Sequence, residues 1–489
     1  MSTIDHQQDN VPARGKWLKR IIVGLLALAL AVLIPATFLK MIGRAALSKQ
    51  IARLREADEP LTFAEWEARR PTIPDDENSA LVLGAAKADL ESQNETYGKH
   101  RSLPLVGRAK LPRWGEPWPG EMFDSVTEYL DHQGDLLSKL DVIHDMPYGR
   151  FEVDLSVDPI TRALPNLSHV RGAAKLEALA ALRDVAEGDV SQSLERCMTI
   201  LNIGGSLTGE PNLISALVSM RVDALAVQTI ERVMSAGHPV RDPLHTLEDA
   251  LRTRESQSVF RTGLRAERLL QIPLYEQVYK GGPAALSYYA RADQVPFVWP
   301  RGLNWAFSGL VDLNLAKSLE LLGQLIDVSG TGSAIPVARA QDAQVDALPG
   351  YYFLFRILHP SLSRATVRWS AHVASLRCAR TALSAERYRL HSGRWPAQLG
   401  DLVPDYIETV PLDPFDEMPL RYKIEPDSLL DRLESRSHII IYSIGEDGSD
   451  DGGDLDAPPE RYKRPPDVGF RLLSPELRGF KIADPAEER

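Results

Sequence analysis

From Ile21 to Leu39 the chain runs almost unbroken through apolar residues without one charged side chain. A helix of that length spans about 30 Å, the hydrocarbon core of a bilayer. Gly24, Pro35 and Thr37 are its soft spots, and Lys40 closes it. Arg14, Lys16, Lys19 and Arg20 precede it, as they would a cleaved signal peptide. The Ala-Leu-Ala triplets at 27–29 and 29–31 lie inside the run, so the segment reads as an uncleaved anchor. Lys40, Arg44, Lys49, Arg53 and Arg55 follow it, which nearly balances the positive-inside count. Long following domains translocate largely regardless of charge, so the simplest arrangement is a short tail inside and a large domain outside.

After the anchor roughly 445 residues remain, enough for two or three domains with real cores. Cys197 and Cys378 are the only cysteines, each inside a helical pattern, and read as buried thiols; one long-range disulfide is the other option. Residues 401–489 hold 22 acidic and 11 basic side chains, which accounts for the whole net charge of -11. No basic face suggests nucleic acid.

The middle of the chain is helical. Leu176, Leu179, Leu182 and Ala186 recur at helical spacing, Gly188-Asp189 breaks the pattern, and Leu194, Cys197, Met198 and Leu201 resume it. After Pro211, the residues Ile214, Leu217, Val218, Val222 and Leu225 mark a third stripe. Helix, Gly-Asp turn and helix resemble a tetratricopeptide-type hairpin in style, without a strict repeat. Leu247–Leu270 reads as one long helix whose Arg and Glu residues form a solvated face. Residues 281–350 are looser. Gly281-Gly282-Pro283 opens them, a helix is expected over Leu310–Ile326, and Gly330 to Ser333 ends it. The aromatics Phe297, Trp299, Trp305 and Phe307 read as packing between domains. Residues 101–120, with Trp114, Pro117, Trp118 and Pro119, read as an irregular loop.

Near the end, a helix is expected over Leu362–His391. Its stripe of Val367, Ala371, Ala374, Cys378, Thr381, Ala385 and Tyr388 is mostly small, which lets a sheet approach closely. Gly393 supplies the cap. Arg394-Trp395-Pro396, Leu402-Val403-Pro404-Asp405-Tyr406, Pro411-Leu412-Asp413-Pro414-Phe415 and Pro419-Leu420-Arg421-Tyr422 follow, then the strand-like Ile439–Tyr442. Asp405 and Asp413 are expected to hold their turns through side-chain hydrogen bonds. The strand feeds Ser443-Ile444-Gly445-Glu446-Asp447-Gly448-Ser449-Asp450-Asp451-Gly452-Gly453-Asp454, a loop with five acidic groups and four glycines. Hard cations want several oxygens on a sharply bending backbone. Asp447, Ser449, Asp451 and Gly452 fit the first EF-hand positions, but Pro458 stands where the bidentate Glu belongs, so the loop is no EF-hand.

That order of motifs over roughly residues 365–470 resembles the head of the major pseudopilin of type II secretion systems. The family's Tyr-x-x-x-x-Gly-x-Trp-Pro helix end is met by Tyr388, Gly393, Trp395 and Pro396; its Leu-x-Pro-x-Tyr segment by Leu402, Pro404 and Tyr406; its Pro-x-Asp-Pro turn by Pro411, Asp413 and Pro414. Pro419 and Tyr422 match the next strand, and Tyr442, Ser443, Gly445, Asp447 and Gly448 match the strand and loop after it. The resemblance implies a small sheet on a long helix, and a calcium ion held by Asp447, Asp450, Asp451 and Asp454. The chain also departs from the family: over 300 residues separate anchor from head, no Gly-Phe peptidase site precedes the run, and no Glu lies within it. The layout further resembles large envelope proteins of planctomycete-type bacteria, with Pro74 to Ala80 and Leu167-Ser168-His169 as shared stretches. That likeness implies no activity.

Enzyme motifs are missing. The 11 histidines are scattered, and no His-Glu-x-x-His, Cys-x-x-Cys or Gly-x-Ser-x-Gly occurs. His169 reads as a core or capping histidine. The expected fold class is mainly α with a small C-terminal α+β domain. The expected division is a cytoplasmic tail at 1–20, an anchor at 21–40, a helical and irregular linker at 41–160, a helical-hairpin body at 161–350, and the head at 351–489. The expected role is a single-pass scaffold or adaptor of the inner membrane. Its bulk would be extracytoplasmic, its metal calcium, and its partner an envelope protein. The alternative is an envelope enzyme with a site in the helical body.

Overall fold

The computed structural model describes residues 14–96, 101–154, 157, 166–281, 304–330, 334–425, 438–456 and 466–483. The expected features at residues 1–13, Gly282-Pro283, Phe297, Trp299 and 331–333 lie outside them. The chain is mostly helical with a small antiparallel sheet near its C-terminal end. The helices are α1 (Arg14–Glu56), α2 (Phe63–Arg69), α3 (Ser79–Ala85), α4 (Lys87–Thr96), α5 (Gly120–His132), α6 (Gly134–Asp141), α7 (Asn166–Ala186), α8 (Val190–Gly205), α9 (Leu213–Ala236), α10 (Arg241–Ser256), α11 (Val259–Gly281), α12 (Asn304–Val328), α13 (Ile335–Asp346) and α14 (Phe353–Ser392). The strands are β1 (Arg421–Glu425), β2 (His438–Ser443) and β3 (Val468–Leu473). The chain divides into two compact units.

The first unit comprises residues 1–59, 271–320 and 348–358. Within it, the N-terminal two-thirds of α1 leaves Ile22, Val23, Leu25, Ile34, Phe38 and Met41 exposed. At Gly43 the same helix meets Gly309 of α12. Asn314 pins the start of α14: its Oδ1 accepts from Phe355 N (3.0 Å), and its Nδ2 donates to the Tyr351 carbonyl (2.9 Å).

The second unit comprises residues 60–270, 321–347 and 359–489. Its body is the expected helical hairpin and its neighbours. Leu176, Leu179 and Leu182 of α7 are buried against Leu194, Cys197 and Leu201 of α8 in one core. Gly188 turns the chain, and the Asp189 carboxylate caps α8 by accepting from Gln192 N (2.9 Å). Asn212 caps α9 the same way through Ile214 N (2.7 Å). α9 is long and apolar enough to cross a membrane, but 61% of its window is buried inside the protein, so it serves as a core helix. Asn78, in the Pro74–Ala80 stretch, caps α3 through Ala80 N (3.2 Å) and accepts from Arg150 N (2.8 Å), tying two loops together. The irregular 101–120 segment clamps the far end of the chain. Trp118 N donates to the Lys481 carbonyl, and Ala483 N donates back to the Trp118 carbonyl, both at 2.8 Å.

One expectation fails here. Residues 247–270 are two helices, broken where Ser258 takes a φ of 47°. Several of their charges are buried instead of solvated, although Arg252 and Asp249 stay half-exposed. Glu248 accepts from Arg387 Nη1 (2.6 Å), and buried Arg254 grips both oxygens of Asp223 (2.9 Å each). Each ion finds its counter-ion on a neighbouring helix, which offsets the cost of burial.

The head follows its expected plan, with α14 starting nine residues earlier than Leu362. Ala374, Cys378, Thr381 and Ala385 are fully buried. Small side chains there let the sheet close on the helix: Cys378 and Ala382 share one core with Ile439 and Ile441 of β2 and Phe470 and Leu472 of β3. The strands run antiparallel in the order β1-β2-β3. Asp413, fully buried, locks the turn before β1. Its Oδ1 accepts from Phe415 N (2.9 Å) and Ser443 Oγ (2.8 Å), and its Oδ2 from Arg421 Nη1 (2.6 Å) and Ile444 N (3.0 Å). Asp405 plays no such part: it is exposed and makes no hydrogen bond among the described residues. Cys197 and Cys378 are free and buried, so no disulfide joins them.

Candidate functional site

The acidic loop leaves β2 at Ser443 and returns to β3 at Val468. Gly445, Gly448, Gly452 and Gly453 take positive φ, so the backbone doubles back repeatedly. All four aspartates that the resemblance singles out are exposed. Three of them hold the loop's own backbone. Asp447 Oδ1 accepts from Ser449 N, Asp450 Oδ1 from Gly452 N, and Asp454 Oδ1 from Asp456 N, each at 3.0 Å. Asp450 Oδ1 also accepts from the Tyr442 hydroxyl (3.1 Å), and its Oδ2 stands 3.7 Å from Arg421 Nε. Among the described residues, no three His, Cys, Asp or Glu side chains gather closely enough to hold a metal ion.

The loop's buried carboxylate is Asp467, which sequence reasoning missed. Its Oδ2 accepts from Gly453 N (2.8 Å) and Asp454 N (3.2 Å), while its Oδ1 is buried without a partner. Burial pushes this carboxyl up to about 6, against the pull of the N–H groups of Gly453, Asp451 and Asp454; the charge of Asp451 adds to the rise. The only signal for it in the sequence is an acid directly before a β-type run. Among the described residues that Oδ1 is a buried carboxylate oxygen with no hydrogen-bond donor of its own.

Beside the loop lies a groove of about 1450 Å³. α9 forms one wall with Leu217, Arg221, Ala224 and Gln228; α14 forms another with Arg368, Ala371, His372 and Ser375. The acidic loop and β3 close it. At the β3 end Arg471 joins the walls. It donates to Glu231 Oε1 (3.1 Å) and Asp456 Oδ2 (2.8 Å) and lies 4.4 Å over the Trp114 ring. His372 sits deeper, with Nε2 3.7 Å from Asp223 Oδ2. Burial pulls its imidazole down to about 4, against the opposing charge of Asp223.

Two buried glutamates and one part-buried glutamate sit away from the groove. Glu177 receives Arg196 Nη1 (3.0 Å), and burial still pushes its carboxyl up to about 7. Glu210 beside Arg70 and Glu248 beside Arg387 are raised to about 7 by the same cause. Glu177 and Glu248 each tie two helices together, and Glu210 ties the turn after α8 to the end of α2. His169 is buried with Nε2 3.3 Å from Glu91 Oε1, in keeping with a core histidine.

No family model, no curated protein and no solved structure matches this chain.

Proposed function

We propose that the chain is a membrane-anchored, extracytoplasmic binding protein: a helical body that carries a pilus-subunit-like head and presents the groove to a partner in the envelope. The observation that carries this reading is the contrast within α1. Its residues from Trp17 to Ile42 expose large apolar side chains on every side, whereas Gly43 is packed against backbone. Water would penalise that exposed stretch by about 25 cal/mol for each Å² of apolar surface, and lipid would not. The head's sheet over the small-residue face of α14 supports the likeness to a pseudopilin head, and the orphaned Asp467 oxygen supports a calcium ion at the acidic loop.

The groove supports binding over catalysis. Arg471 on its wall is already paired with Glu231 and Asp456, and Asp223, behind His372, is paired with Arg254. Among the described residues His372 is the one histidine on its wall, and a ring held near 4 is too weak a base to draw a proton from Ser375 at neutral pH. The test is fractionation followed by crosslinking in native envelopes and mass spectrometry. The chain should stay with the membrane after carbonate extraction and crosslink to a reproducible envelope partner. Release into the soluble fraction would end the anchored reading.

A further inference from the structure

We propose that a small chamber at the C-terminal end of α9 binds a short-chain monocarboxylate, its carboxylate on Arg232 and its tail against Leu182, Ala236 and Leu477. This site is separate from the partner-binding role proposed above and does not rest on it.

The chamber has a volume of about 70 Å³ and lies where the 113–118 segment, α9 and the stretch after β3 meet. Its walls are pinned to one another. Trp114 Nε1 donates to Ser235 Oγ (3.1 Å), and Gly479 N donates to the Ser235 carbonyl (3.3 Å). The Trp118 ring packs on Phe480 with centroids 5.5 Å apart. Walls already in place lose little to ordering when a ligand arrives. Arg113, Trp114 and Arg232 also line the groove, so the chamber opens off it.

Arg232 calls for an anion. It is part-buried, and its Nη2 donates to the Pro112 carbonyl (2.8 Å). Among the described residues its guanidinium meets no other acceptor and no carboxylate. Glu231, its neighbour in the chain, is held by Arg471 Nε (3.1 Å). Burial keeps the Arg232 guanidinium below its ordinary value; the charge of Glu231 opposes that, and the charge of Arg471 adds to it. An anion on the remaining donors offsets the cost of taking them out of water.

The rest of the lining points the same way. Arg113 and Lys481 stand at the chamber as well, both exposed and without an ion pair among the described residues. Against these three cations the lining sets one acid, Glu116, whose Oε2 already accepts from Arg113 N (2.9 Å). Leu182, Ala236, Leu473 and Leu477 make the remainder apolar. Phosphate or sulfate would press oxygens against those side chains with no donor to meet them. A carboxylate lays two oxygens on the guanidinium fork and a short alkyl tail on the leucines. The volume is less than half the roughly 150 Å³ that admits benzene, so the acid is about the size of acetate or propionate.

The test is saturation-transfer NMR on the full chain in deuterated detergent, with propionate as the probe. Propionate should bind with a Kd on the order of 1 mM or tighter. Propionamide, nearly the same shape without the charge, should bind at least about tenfold more weakly. Inorganic phosphate at equal concentration should leave propionate in place. Arg232→Gln should lose about tenfold or more in affinity, with a melting curve to certify its fold. Should that variant not fold, Lys481→Glu decides in its place: it reverses an exposed charge beside the chamber and should weaken propionate by about tenfold. Ala236→Leu, which fills the apolar end, should abolish the transfer. No transfer to wild type, equal binding of acid and amide, displacement by phosphate, or undiminished binding in a folded variant would each overturn the proposal. None of these outcomes bears on the anchored reading, which fractionation decides.

Discussion

Gly43 of α1 and Gly309 of α12 touch backbone to backbone: a Cβ added to Gly43 would stand 2.3 Å from the Gly309 carbonyl oxygen, and one added to Gly309 would stand 2.5 Å from the Leu39 carbonyl. Neither obstacle is a flexible side chain, so the helices cross this closely only because both residues lack side chains. Gly43→Val or Gly309→Val should each cost about 1–3 kcal/mol of the first unit's stability. Limited proteolysis of the full chain in detergent would show it as faster cutting in residues 271–320. A cutting pattern identical to wild type would mean the crossing carries no stability.

Asp413 holds four donors from its turn, β1 and the end of β2. Asp413→Ala leaves three of them buried without an acceptor and Arg421 with Asp416 as its nearest remaining acid. The expected loss is about 3–5 kcal/mol by urea denaturation. Asp405→Ala, at an exposed residue with no hydrogen bond among the described residues, should change stability by less than about 0.5 kcal/mol.

Calcium should raise the melting temperature of the full chain relative to the same sample in chelator. The gain would reach about 2.7 kcal/mol at one hundred times the dissociation constant. Asp451→Asn with Asp467→Asn should abolish the difference. Superimposable melts with and without the ion would remove calcium from the head.

Glu177 gives a pH signature. Its carboxyl titrates near 7 in the fold, above the ordinary 4.5, because burial disfavours its charge. The folded chain therefore binds the extra proton between those values, and this group's contribution to stability falls as pH rises from about 4.5 to 7. Glu177→Gln cannot ionise, so its melting temperature should gain on wild type as pH climbs through that window and level off above it. A difference that stays flat from pH 4.5 to 8 would assign the carboxyl an ordinary pKa.

Both thiols are buried, and burial pushes each upward, away from the reactive thiolate. Ellman's reagent at pH 8 should find neither Cys197 nor Cys378 in the folded chain and both after denaturation. Labelling in the native state would reveal local opening around α8 or α14.

Much of this architecture could be read from residue order. The leucine spacing of α7 and the Gly188-Asp189 break reported local physics, and the fold kept them. The small stripe of α14 announced a close-lying sheet because only Ala, Cys and Thr permit one there. What escaped depends on distant partners. Arg254 and Glu248 look solvent-bound in sequence because Asp223 and Arg387, which bury them, lie on other helices. Asp467 looks like any loop acid until the chain folds back on Gly453. The groove combines α9, α14 and β3, so no single stretch carries its signature.

Arg478 joins two stretches of the chain that lie far apart in sequence. Its guanidinium is fully enclosed and binds both oxygens of Glu386 at 2.8 Å, across 92 residues of sequence, while its Nε reaches the Leu473 carbonyl. During synthesis Glu386 waits through all of those residues with Arg389 alone for company. Without Arg478, Glu386 would keep its charge match with Arg389, but the Leu473 carbonyl would lose its side-chain donor and the tie between α14 and the end of β3 would be gone.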